Sequence, residues 1–405
     1  MHMNAVSPSA VEILGHLVSF PTVNPPGMEA AGQRWVADLL RSWNLEVDVF
    51  EVFPDRPNVV GVLKGTGGGR SLMLNGHIDV VPPGDLNSWS GDPFTMRIDG
   101  DRLIGRGVTD MKGGLAGFLA AIRKVQQIGP LRGDVIFESV IGEERGEPGA
   151  LRCVERGYRA DFAIVGEAGE ARHALAGVGT LLGRVTVESD ITLHFGARRL
   201  CIQTGGGTRG ANCIEKMATR IIPALADLER DWAVFKTHPL ITSGMALINV
   251  FQISGGELPG FLPSRADIDI VVTYYPTDSE DAVKREVEDT LARASALDPW
   301  LRDRPARIDW STDDFFRFNP FEFDRAHAGV RLLGDALKDV TGRELQFGGR
   351  GTMCDAGTLY RAGIPVVVFG PGKIHQSHRI DEFVLRKDVE DYAEIIAEFI
   401  TRWCK

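Results

Sequence analysis

Three short apolar runs in this chain each break off directly into ionisable residues, and that pattern constrains the fold more than any other feature. Residues 71–74 lead to His77 and Asp79, Val135–Ile141 runs into GEERGEPGA, and Asp161–Val165 runs into GEAGE. Buried strands that all become polar at the same end suggest one mixed or parallel sheet with a polar rim along its carboxyl edge. That edge is where α/β proteins gather binding groups. Asp110 joins them from a Gly-flanked turn, just ahead of an apolar helix at Leu115–Ile122.

Around this core, strand and helix alternate from Ala10 to about Gly177. The spacing predicts a helix over Ser9–Ser19, with Ser9 and Glu12 placed as a capping box and PTVNPP as its stop. A helix at Gln33–Trp43 and strands at Leu45–Val52 and Asn58–Lys64 follow. From Val178 to Trp310 the character changes to a strand (Thr180–Glu188), a helix (Ala211–Arg230), two strands (Met245–Ile253, Ala266–Tyr274) and a helix (Ser279–Ala296). This order describes helices over a small antiparallel sheet. No long linker flanks it, so it reads as an insertion. Sheet architecture then resumes with helix Ala326–Leu337, the turn GGRGTMCDAG, strand Ile364–Phe369 and helix Lys387–Trp403. At 405 residues two domains are expected. The limits are 1–177 and 313–405 for the two parts of the first domain, and 178–312 for the insertion.

Composition narrows the partners. A formal charge of −10 argues against nucleic acid or an anionic membrane. No apolar run reaches the roughly 20 residues of a spanning helix. Cys153, Cys201, Cys213, Cys354 and Cys404 are scattered without CxxC spacing, which reads as reduced thiols in a cytoplasmic protein. The Gly-rich GTGGG and TGGGTRG lack the helix pattern of a phosphate loop.

In chain order the strand-end residues are His77, Asp79, Asp110, Glu143, Glu144, Glu167 and His378. Imidazoles and carboxylates without cysteine suit zinc, cobalt or manganese in a catalytic site. Burying so many carboxylates without a cation would cost several kcal/mol for each ion. The cluster therefore implies a dication, and its size argues for two. Asp79 is within reach of the second ring nitrogen of His77. Glu143 and Glu144, adjacent at a strand end, point different ways, so one can ligate while the other faces a water.

The segments GHIDVVPPG, GRGVTDMKGG, IGEERGEPGA, VGEA, GANCIEKM, ISGGELPGFLP and FGPG…HRIDEF resemble the acetylornithine deacetylase, succinyl-diaminopimelate desuccinylase, aminoacylase and carboxypeptidase G group of dinuclear metallohydrolases, over about Val11 to Phe383. The resemblance implies a zinc-aminopeptidase-like α/β/α catalytic domain with an inserted ferredoxin-like α+β lid and dimerisation domain. It implies one metal on His77 and Glu167, the other on Glu144 and His378, and Asp110 bridging both. It makes Asp79 the residue that orients His77 and Glu143 the general base. His378 is preferred to His375 because it satisfies the family's His-x-x-Asp/Asn-Glu with Asp381 and Glu382. His194, at the end of the lid segment, is implied as an oxyanion-stabilising group that acts in the partner subunit's site, which requires a homodimer.

The chain also departs from the pattern. FGARRLCIQTGGGTR between His194 and GANCIEKM is longer than the family's usual connection, the family's Asn is Gly260, and its carboxylate-gripping lid arginine is Thr273. The DAR triplet of many relatives is Asp355-Ala356-Gly357. Either carboxylate reading has moved to Arg198, Arg199, Arg209, Arg350 or Lys373, or the substrate has no α-carboxylate. The expected function is metal-dependent hydrolysis of a small-molecule C–N amide bond, with N-acyl amino acid deacylation first. A carboxypeptidase or dipeptidase is one alternative, and a deformylase, deaminase or amidase of a substrate without an α-carboxylate is another. An inactive binding relative is the reading of another class.

Overall fold

Strand Leu72–His77 is buried along its whole length and runs parallel to Val135–Val140 on one side and Phe162–Val165 on the other. The computed structural model describes residues 8–170, 172–200, 210–312 and 317–405. It divides into two units: residues up to Ala176 with Phe321–Gly349 and Cys354–Lys405, and Gly177–Pro320 with Arg350–Met353. In the first unit, eight of the nine sheet strands follow the order Glu46–Phe53, Arg56–Leu63, Val135–Val140, Leu72–His77, Phe162–Val165, Val366–Val368, His173–Gly177 and Phe321–Glu322. The centre of the sheet is parallel and Glu46–Leu63 forms an antiparallel hairpin at one edge, so the sheet is mixed.

Alternation along Leu72–His77 decides what covers each face. A Cβ on Gly76 would meet Met111 and Leu115, so this face lies under helix Lys112–Ile128. Met73, on the other face, packs with Ala356 and Leu359. The result is helix, sheet and helix in layers. Helix Lys112–Ile128 begins earlier and runs farther than the expected Leu115–Ile122, because its apolar face continues to Val125. Its early glycines allow close approach: a Cβ on Gly114 would stand 2.1 Å from the Gly166 carbonyl oxygen, one residue before Glu167.

A second small sheet pairs Arg97–Asp99 with Arg102–Ile104, and Arg102–Ile104 with Phe383–Leu385. These three-residue strands escape sequence reading because three residues cannot display a period of two. Their effect is to lay the segment after His378 beside the turn that precedes Asp110.

The second unit holds a four-stranded antiparallel sheet in the order Ile248–Gly255, Arg265–Tyr274, Gly179–Glu188 and Arg307–Trp310. Along Arg265–Tyr274 the residues Ala266, Ile268, Ile270 and Val272 are buried, while Asp267 and Asp269 pair outward with Thr186 and Arg184. The expected sandwich lacked the strand Arg307–Trp310, which is short and only half-buried on its inward side. Cys201 and Arg209 lie outside the described residues, as does most of the longer connection after His194.

Candidate metal centre

The register of the parallel strands explains how residues far apart in sequence meet. His77 is paired with Val140, three residues ahead of Glu143, and Asn75 with Val165, two ahead of Glu167. The carboxyl ends of three neighbouring strands thus deliver His77, Glu143, Glu144 and Glu167 to one rim, where open α/β sheets bind ligands. Asp110 arrives on the turn before helix Lys112–Ile128, and His378 on the segment held by the small sheet.

Two groups of ligand-type atoms form there, His77 with Asp110 and Glu167, and Asp110 with Glu144 and His378, with the atoms of each group within 4.8 Å of one another. Asp110 is common to both. His77 Nε2 lies 3.0 Å from Glu167 Oε1, 3.3 Å from Asp110 Oδ1 and 3.4 Å from Glu143 Oε2. His378 Nε2 lies 2.9 Å from Glu144 Oε2 and 3.3 Å from Asp110 Oδ2. His77 is fully buried and its Nε2 makes no aligned hydrogen bond, although carboxylates surround it. A buried imidazole nitrogen facing three carboxylates and satisfied by none of them is a donor set that fits divalent cations. Glu143 belongs to neither group.

The charges respond to this crowding. Burial pushes the Glu143 carboxyl well above its usual range; His77 opposes that, while Glu167, Asp355 and Glu144 add to it. Burial and the Asp110 charge push Glu144 up to about 7. Burial would raise Asp110 as well, but the imidazoles of His378 and His77, each with a nitrogen 3.3 Å from one of its oxygens, prevail and lower it. The same contacts with Asp110 and Glu144 raise His378 to about 10. Burial works against a proton on His77, yet Glu143, Asp110 and Glu167 outweigh it and raise His77 well above its ordinary value.

The part expected of the Asp79 carboxylate needs correction. His77 Nδ1 lies 2.9 Å from the Asp79 backbone carbonyl oxygen, whereas the carboxylate oxygen stands 3.7 Å away. The carboxylate instead accepts from Gly142 N at 2.9 Å, Glu143 N at 3.3 Å, Glu144 N at 3.2 Å and Asn24 Nδ2 at 2.8 Å. A carboxylate collecting backbone N–H groups ties down the turn that carries them. The side chain of Asp79 therefore holds the Glu143–Glu144 turn, and its main chain serves His77.

His378 and Asp381 adopt left-handed φ values of 64° and 50°, each costing on the order of 1 kcal/mol for a non-glycine residue. Ser90 and Arg97 hold the Asp381 carboxylate in place. His375 sits in a short 3-10 turn and belongs to neither ligand group. Sequence reasoning missed Asn24, whose only local signal is its position in PTVNPP. It also missed the environment of Asp355, a buried carboxyl without a hydrogen bond to either oxygen, which burial and Glu147 push well above the usual range.

In the second unit His194 is exposed on an isolated bridge with Phe261, and its Nδ1 accepts from Gly196 N at 3.2 Å. An Nδ1 that accepts leaves Nε2 as the donor of the neutral ring. Gly260 opens onto free space. Thr273 is buried, its hydroxyl donating to the Met245 carbonyl at 2.5 Å and accepting from Leu247 N at 3.1 Å, so it offers nothing to a ligand. Of the other cations considered, Arg198 pairs with Glu215 and Lys373 lies in the first unit beside Gly372 and Asp388.

A profile of Peptidase family M20/M25/M40 matches residues 73–402. N-formyl-4-amino-5-aminomethyl-2-methylpyrimidine deformylase of Halalkalibacterium halodurans is 38% identical over 412 residues, spanning 100% of this chain and 96% of that protein. The protein of the same name from Bacillus subtilis is 38% identical over 403 residues, with 97% and 94% covered. Among solved structures, an M20 family metallo-carboxypeptidase of Sulfolobus solfataricus superposes with a TM-score of 0.75 at 18% identity, covering 98% of this chain and 99% of that one. Human carnosine dipeptidase 1 gives 0.70 at 16% identity, with 98% and 96% covered. At those identities the structures speak for the fold alone.

Proposed function

This chain belongs to Peptidase family M20/M25/M40 and is a hydrolase of C–N bonds, and from that premise we propose that it deformylates an aminomethyl-substituted heteroaromatic formamide. The products are formate and the free amine. The names of the two bacterial relatives match the deformylase alternative rather than the N-acyl amino acid reaction placed first on sequence grounds. The observation that carries the reading lies in the second unit. Where amino-acid-releasing relatives place an arginine this chain has the buried, fully engaged Thr273, and where they place an asparagine it has Gly260. Without the bidentate cation, an α-carboxylate loses its strongest reader.

In this proposal His77 and Glu167 would hold one divalent cation and Glu144 and His378 the other, with Asp110 available to both. The mixed imidazole and carboxylate set favours zinc, with cobalt or manganese as alternatives. Such a pair of dications supplies Lewis acidity that eases deprotonation of water and polarises the scissile carbonyl. Glu143, outside both ligand groups and held by its amide to Asp79, takes the proton of the attacking water and delivers it to the leaving nitrogen. His194 offers Nε2–H to the developing oxyanion of a second protomer. The exposed edge strand Ile248–Gly255, with Phe251 and Ile253 outward, supports a homodimer through the second unit. The buried thiols of Cys153, Cys213 and Cys404 support a cytoplasmic setting.

The test is hydrolysis by zinc-, cobalt- or manganese-loaded protein, followed as release of the free amine together with formate or acetate. The panel is N-formyl aminomethylpyrimidines, N-formyl amino acids and N-acetyl amino acids. Preference for the first class is expected; preference for members bearing an α-carboxylate would overturn the proposal.

A further inference from the structure

Glu382 is fully buried four residues beyond His378, and four donors converge on its carboxylate. Oε2 accepts from Arg106 Nη1 at 2.8 Å and from Gly107 N at 3.1 Å. Oε1 accepts from Thr109 N at 2.8 Å and from Asp110 N at 3.1 Å. The donors all belong to the turn that ends in Asp110. The main chain repeats the connection, with Gly105 N donating to the Glu382 carbonyl at 3.0 Å and Arg106 Nη1 to the Arg379 carbonyl at 3.1 Å. The neighbouring acid does different work, since Asp381 is engaged by Ser90 and Arg97.

We propose that Glu382 is a positioning residue for the metal centre: its carboxylate latches the Asp110 turn to the His378 segment, so that both side chains face the same cation. This rests on reading the two ligand groups as a metal centre. Nothing local in either segment fixes their separation, because their residues are about 270 apart in sequence. The inward-pointing amides of the 107–110 turn need an acceptor, and a single carboxylate from the other segment supplies it. Asp110 belongs to both ligand groups. Displacement of its backbone is therefore felt by both, whereas loss of an ordinary ligand is felt by one.

The test titrates cobalt(II) alone into metal-stripped protein, following its visible absorption, for the parent, Glu382→Ala, Glu382→Gln and Asp381→Asn. Glu382→Ala removes all four acceptor contacts and should weaken cobalt binding by about 10–100-fold, the usual effect of losing a group that orients a ligand. Glu382→Gln keeps an oxygen for the Thr109 and Asp110 amides but sets an amide nitrogen against Arg106 and Gly107. It should weaken binding less, with an altered spectrum. Asp381→Asn should bind as the parent does. Cobalt affinity and spectrum unchanged in both Glu382 variants, with only a lower thermal midpoint, would make Glu382 a structural residue and overturn the proposal. So would an equal loss in Asp381→Asn. If Glu382→Ala does not fold, Arg106→Met/Glu382→Gln, which leaves no buried unpaired charge, decides by the same criterion. Failure of the parent itself to take up cobalt would overturn the metal centre as well, which separates that failure from this one.

Discussion

Replacing Asp79 by asparagine distinguishes two accounts of this residue. Its carboxylate receives four hydrogen bonds, two on each oxygen, from three backbone amides of the Gly142–Glu144 turn and from Asn24. Asp79→Asn keeps one acceptor oxygen and turns the other into a donor facing two donors. Asn24 can rotate its carboxamide and recover one contact; the Glu144 amide cannot. Hydrogen bonds to a charged group are worth about 1.5–3 kcal/mol each, so one net loss with a buried amide left unpaired should destabilise by about 2–3 kcal/mol. Because the same turn carries Glu143, a shift of about 1 Å there should lower kcat by about a hundredfold. His77 should keep its tautomer, since its Nδ1 faces the Asp79 carbonyl. Urea unfolding, kcat and the ¹⁵N shifts of the His77 ring test the three parts. Unchanged stability together with a switched His77 tautomer would refute the reasoning and return the carboxylate to His77.

Glu143→Gln should keep both metal ions by elemental analysis while kcat falls by about 10²–10⁴-fold, as expected for loss of a general base; substantial residual turnover would remove Glu143 from that role. Burial raises buried Glu138 from 4.5 to about 7, so the folded protein binds this proton more tightly than the unfolded chain. Stability from this group is therefore greatest below pH 4.5 and is lost as pH rises through about 7, by roughly 3 kcal/mol. Glu138→Gln should erase that loss, seen as a stability gain over the parent at pH 8 but not at pH 4.5 in chemical denaturation. Stripping metal with a chelator should abolish activity and lower the thermal midpoint, while zinc at a thousand times its Kd should restore about 4 kcal/mol; equal midpoints with and without zinc would argue against a centre at these residues. Gly260→Asn enters free space and should fold with stability within about 1 kcal/mol of the parent. Thr273→Arg, at a buried and fully bonded site, should cost more than about 2 kcal/mol, so thermal midpoints should separate the two.

The sheet, its polar rim and the candidate residues were legible in the sequence because their signals are local. An apolar run four to seven residues long announces a buried strand, and a histidine or acid immediately beyond it is carried to the strand's end whatever the rest of the chain does. The ligand types His77, Asp110, Glu144, Glu167 and His378 could be read from such positions and from motif spacing, as could the missing carboxylate reader at Thr273. Elements of three or four residues, such as Arg97–Asp99 and Arg307–Trp310, could not, since their pairing supplies the stability that their own residues lack.

What only the tertiary structure decided is which atom meets which. Sequence places Asp79 two residues from His77, but not whether its carbonyl or its carboxylate turns toward the ring. That depends on three amides arriving from a neighbouring strand about 60 residues away. Likewise Glu382 completes a motif with His378 in the sequence, but what its carboxylate holds is set only when the fold brings the 106–110 turn against it. Local sequence sets the shape of a segment and the chemistry it carries, whereas hydrogen bonds between distant segments exist only once the sheet register has fixed their separation. The side chains that tie the candidate ligand segments together are therefore the part of this site that folding, and not spacing, made visible.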